Sequence, residues 1–361
     1  MSKQRVLVGM SGGVDSSVTA ALLVEQGYDV VGVTLNVWPE LEGIDEQDRE
    51  DACCALGAVA DARSVADLLG IRHFTLNLRD LFRERVIKDF VQQYQQGRTP
   101  NPCIRCNQFI KFDALLARGL ILNSDLVATG HYARIEQDVS SDRWLLRKAT
   151  DLSKDQSYVL YVMTQDRLAR AMLPLGELSK EEVRDLARRF ALPVAEKGES
   201  QDICFVPYRS YTEFIERYAP ESINDGSIVD ETGQEVGRHR GVAFHTVGQR
   251  RGLGIAVGEP RFVTKLDPVL NVVQVGPMEQ LLRAECIADE LNWVAISGIE
   301  KPTRVLAKLR YRATEAPATV YPAIDGRARI EFETPQRAVT PGQAIVFYWD
   351  DVVVGGGTIA E

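Results

Sequence analysis

No hydrophobic run in this chain approaches the length needed to cross a bilayer. The opening MSKQRVLV is charged and strand-like where a secretory leader would be apolar. A cytoplasmic protein with no membrane partner is therefore expected. Two common nucleotide fingerprints are missing as well. No Gly-Lys-Ser/Thr closes a glycine-rich loop, so no local lysine is set to reach a β- or γ-phosphate, and no GxGxxG opens a helix. Positive charge is also in deficit, with 42 Lys+Arg against 51 Asp+Glu. Nucleic acid could then be met only through a local basic patch. Six cysteines in a reducing compartment read as catalytic, redox-active or metal-bound sooner than as structural disulfides. What remains is ordinary globular composition, 45% hydrophobic and 26% charged, over 361 residues, enough for two or three domains.

The most informative stretch is Arg5 to Ser17, RVLVGMSGGVDSS. Val6, Leu7 and Val8 read as a buried parallel strand, Ser11-Gly12-Gly13 breaks it, and Asp15-Ser16-Ser17 offers N-cap chemistry to a helix over Val18 to Gln26. Strand, glycine turn and helix start together aim backbone N–H groups and a helix dipole at one spot, which suits an anion. The plainer alternative is an ordinary Gly-Gly turn ahead of a capped helix.

The first half continues as strand and helix in alternation. Val30 to Leu35, His73 to Leu78 and Leu126 to Gly130 are strand-like, and Asp61 to Leu69 is helical. Phe82, Val86, Phe90 and Tyr94 form one stripe of a helix ending at Gly97. Repeated βα units predict an α/β fold with a parallel sheet and ligands at the carboxyl ends of its strands, where Leu35 and Gly130 stand. Past Pro207 the chain turns glycine-rich, and from about Leu281 short alternating segments predict a small closed β-barrel. The expected domains are 1–207, 208–280 and 281–361. In Arg304 to Arg312, alternation sets Arg304, Lys308, Arg310 and Arg312 on one strand face and Tyr311 on the other, as an RNA patch or simply as a solvated face.

A second stretch, GRTPNPCIRCNQFIKF from Gly97 to Phe112, opens with a stiff Thr99-Pro100-Asn101-Pro102 loop carrying Cys103-x-x-Cys106. A helix is expected from about Asn107, with Phe109, Phe112 and Leu116 on its core face. A cysteine just before a helix N-terminus would have a stabilised thiolate. A lone CxxC is compatible with zinc, redox or chance. Cys204 in SQDICF, together with Cys53, Cys54 and Cys286, reads singly as a small buried hydrophobe.

Taken together, SGGVDSS, GRTPNPxxxCN with IKF, GHYAR at Gly130 to Arg134, SKDQSYVL at Ser153 to Leu160, SQDICF and GQRRGLGI at Gly248 to Ile255 resemble, in order and spacing, the tRNA-specific 2-thiouridylase family. SGGVDSS itself resembles the PP-loop of ATP pyrophosphatases. The resemblance covers essentially the whole chain and implies a PP-loop domain, a small central domain and a C-terminal β-barrel. It implies adenylation of the C2 oxygen of the wobble uridine, then replacement of that oxygen by sulfur from a cysteine persulfide. On the same ground, Cys106 corresponds to the nucleophile and Cys204 to the persulfide carrier. Gly9, Met10, Ser11, Gly12, Gly13, Val14, Asp15, Ser16, Leu35 and Gly130 correspond to ATP contacts. Asn101, Pro102 and Cys103 correspond to the loop against the target base, and His131, Lys154, Asp155, Gln156, Arg310, Tyr311 and Gln343 to tRNA contacts. Many members carry Asp where this chain has Cys103, so the acid/base role proposed for that carboxylate is open here.

The implied chemistry is self-consistent. An amide-like carbonyl has no leaving group, and adenylation supplies one. Two cysteines then suffice to carry sulfur and to resolve it as a disulfide. Mg²⁺ is expected beside ATP, and tRNA and a persulfide-donor protein are the expected partners. Three thiols at Cys103, Cys106 and Cys204 also raise a 4Fe–4S cluster with one open iron. An amidating synthetase and a redox- or metal-dependent RNA-binding protein with a relic nucleotide fold are the competing readings.

Overall fold

A computed structural model describes residues 3–38, 56–198, 203–206, 210–255 and 258–360. Cys53 and Cys54 lie outside the described residues. The chain divides into two compact units, one of residues 1–86, 103–209 and 351–353, the other of 87–102, 210–350 and 354–361.

The first unit is built on five parallel strands: β1 (Arg5–Gly9), β2 (Asp29–Asn36), β3 (Arg72–Asn77), β4 (Leu126–Ala128) and, after the β5 (Ala133–Asp138)–β6 (Arg143–Lys148) hairpin, β7 (Ala171–Met172). Their order is β3-β2-β1-β4-β7. Val6 and Val8 point into one apolar cluster, with Val14, Val18, Leu23, Val183 and Ala187. Leu7 points into the other, with Val31, Val33, Leu115 and Val127. A strand buried on both faces is apolar without alternation, which is why RVLVG reads as it does. The chain leaves β1 toward β2 and returns on its other side as β4, so the crevice beyond β1 and β4 is the sheet's switch point.

Two helix starts differ from expectation. Helix α1 runs Val14–Glu25, four residues earlier than predicted, with Gly13 as N-cap and no side-chain cap. Ser17 Oγ instead donates back to Gly13 O at 2.8 Å, and Thr19 Oγ1 to Asp15 O at 2.9 Å. These hydroxyls satisfy themselves inside the helix. Similarly, the CxxC stretch is already helical: Pro102–Arg105 is α-helical and Cys106–Ala114 π-helical. Cys103 and Cys106 thus sit within the first turns, not ahead of them. The π stretch, bonded i→i+5, shifts the buried face to Asn107, Ile110, Phe112 and Leu115, leaving Phe109 half-buried, while Leu116 packs partly buried against the core as expected. The Phe82-to-Tyr94 stripe is buried throughout, although residues Arg83–Ile87 are again π-helical.

In the second unit, β8 (Gly226–Val229), β9 (Glu235–His239), β10 (Phe262–Asp267) and β11 (Val272–Gly276) form a sheet of order β10-β11-β8-β9 over Ile228, Val263, Val273 and Val275. Then β12 (Leu282–Trp293), β13 (Thr303–Lys308), β14 (Ala316–Val320), β15 (Ala328–Arg337), β16 (Ala344–Trp349) and β17 (Val352–Ile359) follow in the order β12-β15-β14-β13-β16-β17. Pairing of β12 with β17 closes the barrel around Val305, Ala307, Ile330, Phe347 and Val354. The predicted basic strand ends at Lys308. Arg310 and Tyr311 lie in the turn beyond it and are both exposed, so the expected alternation of faces does not reach them.

Candidate active site

The loop Met10–Gly13 leaves β1 at the switch point. Its geometry is enforced from several sides. Met10 N donates to Val33 O and Met10 O accepts from Thr34 Oγ1, each at 2.8 Å. The Thr34 hydroxyl, having donated, accepts from His73 Nε2 at 2.9 Å, which fixes the proton on that nitrogen. Ser11 N donates to Ser16 Oγ at 3.1 Å. Gly12 takes φ +69°, and a Cβ there would overlap the carbonyl of Ala58 on helix α2 (Leu56–Leu69), so no other residue fits. On the facing strand end, a Cβ on Gly130 would stand 2.8 Å from both the Asp15 carbonyl carbon and Ser16 N. Backbone at both places is held close and bare, as an anion cradle requires.

Side chains from distant sequence complete this corner. Asp15 Oδ1 accepts the Tyr132 hydroxyl at 2.8 Å and the Lys180 ammonium at 2.7 Å. Lys180 opens the helix Lys180–Arg189, whose start is fixed by a Ser179/Glu182 capping box. Lys197 Nζ donates to Gly12 O at 3.0 Å and to Asp61 Oδ2 at 2.6 Å. Sequence reasoning missed Lys180, Lys197 and Tyr132. The capping box and the GHYAR block were visible signals, but neither says which loop the residues reach.

The residues matched to tRNA contacts fall into two kinds. His131 and Asp155 are each only 6% exposed. Lys111 Nζ donates to His131 Nε2 at 3.2 Å, so His131 Nδ1 carries the proton and donates to Thr129 Oγ1 at 2.8 Å. Burial first, then the Lys111 charge, hold this imidazole well below its ordinary pKa, so it is neutral. Asp155 accepts from Ala149 N, Ser157 N and Ser157 Oγ at 2.8–3.1 Å. Gln156 Oε1 accepts from Tyr132 N at 2.9 Å. These three shape the GHYAR and SKDQS segments, whereas Lys154 is half-buried. In the second unit, Gln343 Nε2 donates to Thr99 O at 2.8 Å, fixing the loop that leads to Asn101 and Pro102. There too, Arg310 Nη2 donates to the carbonyls of Arg337 and Ala338 at 2.7 and 3.0 Å.

Of the cysteines, Cys103 is exposed, Cys106 and Cys204 are half-buried, and Cys286 is buried. Burial pushes the Cys286 thiol up to about 12, which makes it inert. Among the described residues no three Cys, His, Asp or Glu side chains converge as metal ligands would. The donor set Cys103, Cys106 and Cys204 therefore does not fit a 4Fe–4S cluster as it stands.

Three family models divide the chain between them: the tRNA methyl transferase HUP domain at residues 4–208, the tRNA methyl transferase PRC-barrel domain at 212–277 and the aminomethyltransferase beta-barrel domain at 283–359. The tRNA-specific 2-thiouridylase MnmA of Heliobacterium modesticaldum is 52% identical over 99% of this chain and 93% of its own length. The chain belongs to the MnmA family. Its MnmA relative from Moorella thermoacetica is 52% identical over 98% of each chain, and that from Acetivibrio thermocellus 50% identical over 99% of this chain and the whole of its own. MnmA relatives of this length match all three regions of the chain at once, so the family assignment covers the barrel as well as the nucleotide-binding fold. No helix among the described residues is long and apolar enough to cross a membrane.

Proposed function

We propose that this chain is an ATP-dependent tRNA-uridine 2-sulfurtransferase acting in the cytoplasm. The observation carrying this reading is the bare-backbone cradle of Gly12, Gly13 and Gly130 at the sheet's switch point, in a chain whose MnmA relatives are named for the reaction. In this reading ATP lies over Gly9–Ser16, against Leu35 and Gly130. The triphosphate takes backbone N–H groups and the α1 dipole. Asp15 is the carboxylate that would help hold Mg²⁺, whose charge would offset that of the phosphates.

Uridine O2 attacks the α-phosphorus, the bond to the β-phosphate oxygen breaks, and pyrophosphate leaves. Residues 1–207 would carry this chemistry, with 208–280 and 281–361 serving tRNA. The terminal sulfur of a persulfide on Cys204, loaded by a donor protein, then attacks C2 and expels AMP. Cys106 thiolate attacks Cys204 Sγ, freeing the 2-thiouridine and leaving a Cys106–Cys204 disulfide for an external dithiol to reduce. Asn101, Pro102 and Cys103 would lie against the target base, with Lys154, Arg310 and Tyr311 contacting tRNA and His131, Asp155, Gln156 and Gln343 shaping the loops that do so. No step here needs a metal cluster.

The test is incubation with unmodified tRNA, ATP and a persulfide donor, followed by mass analysis of nucleosides. Equal amounts of AMP, pyrophosphate and 2-thiouridine are expected. Absence of tRNA-dependent AMP release would return the chain to an RNA-binding role.

A further inference from the structure

The SGGVDSS loop carries no lysine, yet the folded unit delivers two to it from 165 and 185 residues away. Lys180 Nζ meets Asp15 Oδ1 at 2.7 Å at one end of the loop, and Lys197 Nζ meets Gly12 O at 3.0 Å near the other. The Lys180 side chain is only 13% exposed, so its ammonium has given up most of its hydration to stand there. It is also 5.8 Å from the centre of the Tyr132 ring. Its helix start is rigidly capped, and its own backbone N–H is held by Asp151 at 3.2 Å, which leaves the stem little freedom except at its tip.

From this the geometry points to Lys180 and Lys197 as the cationic half of the nucleotide site, the groups that bind the β- and γ-phosphates which the loop itself has no side chain to neutralise. The inference rests on reading the loop as an ATP site. A triphosphate entering a cradle of backbone N–H groups also meets the Asp15 carboxylate in the first helical turn, and like charges at that distance repel. Lys180 offsets that repulsion, because its ammonium already stands at the helix start where the phosphates would lie. Lys197 differs in kind. It ties the Gly12 carbonyl to Asp61 on α2, so it both braces the loop against the wall that Gly12 touches and brings a charge to it. A lysine is suited to this task because its ammonium is a compact point charge with three donors, and so can exchange a carbonyl or carboxylate for a phosphate.

Two measurements test this. The first compares binding of AMP and of α,β-methylene-ATP, with Mg²⁺, to the wild type and to Lys180→Gln, Lys197→Gln and the two Lys→Arg variants. The Gln variants should lose about ten- to a hundred-fold in affinity for the triphosphate analogue while AMP binding changes less than about two-fold, with Arg restoring most of the loss. Equal loss of both ligands would make the lysines structural and overturn the inference, and so would no loss of either. A wild type that binds neither nucleotide would overturn the ATP reading, and this inference with it. The second measurement needs no variant to fold. Adenosine triphosphopyridoxal, an ATP mimic whose aldehyde forms a Schiff base with a nearby amine, should label Lys180 or Lys197 of the wild type after borohydride trapping. ATP should protect them. Labelling confined to other lysines would overturn the inference.

Discussion

Gly130 is bare because the start of helix α1 occupies the space its side chain would fill: a Cβ there would lie 2.8 Å from the Asp15 carbonyl carbon. Strand end and helix start are thus in backbone contact across the switch point. Gly130→Ala should push the first turn of α1 away and cost about 1–3 kcal/mol of stability, as overpacking does elsewhere. It should also weaken ATP binding by more than the stability loss alone explains. Calorimetry of unfolding together with nucleotide titration checks this, and unchanged ATP affinity in a folded Gly130→Ala protein would mean the contact is not part of the nucleotide site.

Asp15→Asn keeps the size of the side chain and removes its charge. The Tyr132 hydroxyl retains an acceptor while Lys180 loses its ion pair. tRNA-dependent AMP formation is expected to fall at least a hundred-fold with tRNA affinity within about two-fold, because the residue is proposed to act on phosphates and Mg²⁺ only. Filter binding and AMP release, measured on one preparation, separate the two. A parallel fall in both would make Asp15 structural.

The extent to which these features can be read in the chain follows from how local each one is. RVLVG followed by SGGVDSS declares a doubly buried strand and a cradle because strand period, glycine and helix start are all written within a dozen residues. The barrel is legible for the same reason, through short alternating runs between turns. Lys180 and Lys197 are not, since an ion pair spanning 165 residues leaves no spacing to detect. The CxxC helix starts earlier than its sequence suggests because Pro102 reads as a breaker, yet proline at the first helical position costs nothing, its missing N–H being one the helix leaves unpaired anyway. Periodicity places Leu116 correctly against the core but not Phe109, because a π stretch breaks the 3.6-residue rule on which it depends.

All four histidines, His73, His131, His239 and His245, are held below the ordinary imidazole range, in each case first by burial. For His245 the value falls to about 4. The unfolded chain binds protons on these groups near pH 6.5 while the folded chain resists, so stability rises with pH through that window and is lost as pH falls below it. His245 should contribute a slope approaching about 1.4 kcal/mol per pH unit between roughly pH 6 and 5, and His131, held well below its ordinary range, should act in the same direction. Urea titrations across this range check the sign. His245→Phe should flatten the slope, and a slope unchanged in that variant would rule out His245 as a contributor.

Arg310 stands in the turn after β13, its guanidinium oriented by two carbonyls, with Tyr311 exposed beside it. Replacing Arg310 by Ala should weaken tRNA binding and reduce the slope of log affinity against log salt by about one phosphate equivalent. Lys301→Ala, an exposed cation on the loop before the same strand, serves as the comparison. If both variants lower the slope equally, the barrel attracts tRNA diffusely and Arg310 has no particular place in the contact.

The cysteines give the sharpest test because the three candidates should not behave alike. Cys106→Ser and Cys204→Ser should each abolish 2-thiouridine while leaving tRNA-dependent pyrophosphate release, since adenylation precedes sulfur transfer and uses neither thiol. Cys103 is exposed at the start of its helix, and Cys103→Asp should retain thiolation, because the sulfur steps are assigned to Cys106 and Cys204 alone. Since the three thiols do not converge as metal ligands, protein purified without oxygen should contain far less than one iron per chain and still thiolate tRNA from a persulfide donor. Iron and acid-labile sulfide at about four per chain, both lost in Cys103→Ala, would instead show that the thiols gather around a cluster, and the persulfide mechanism would have to be abandoned.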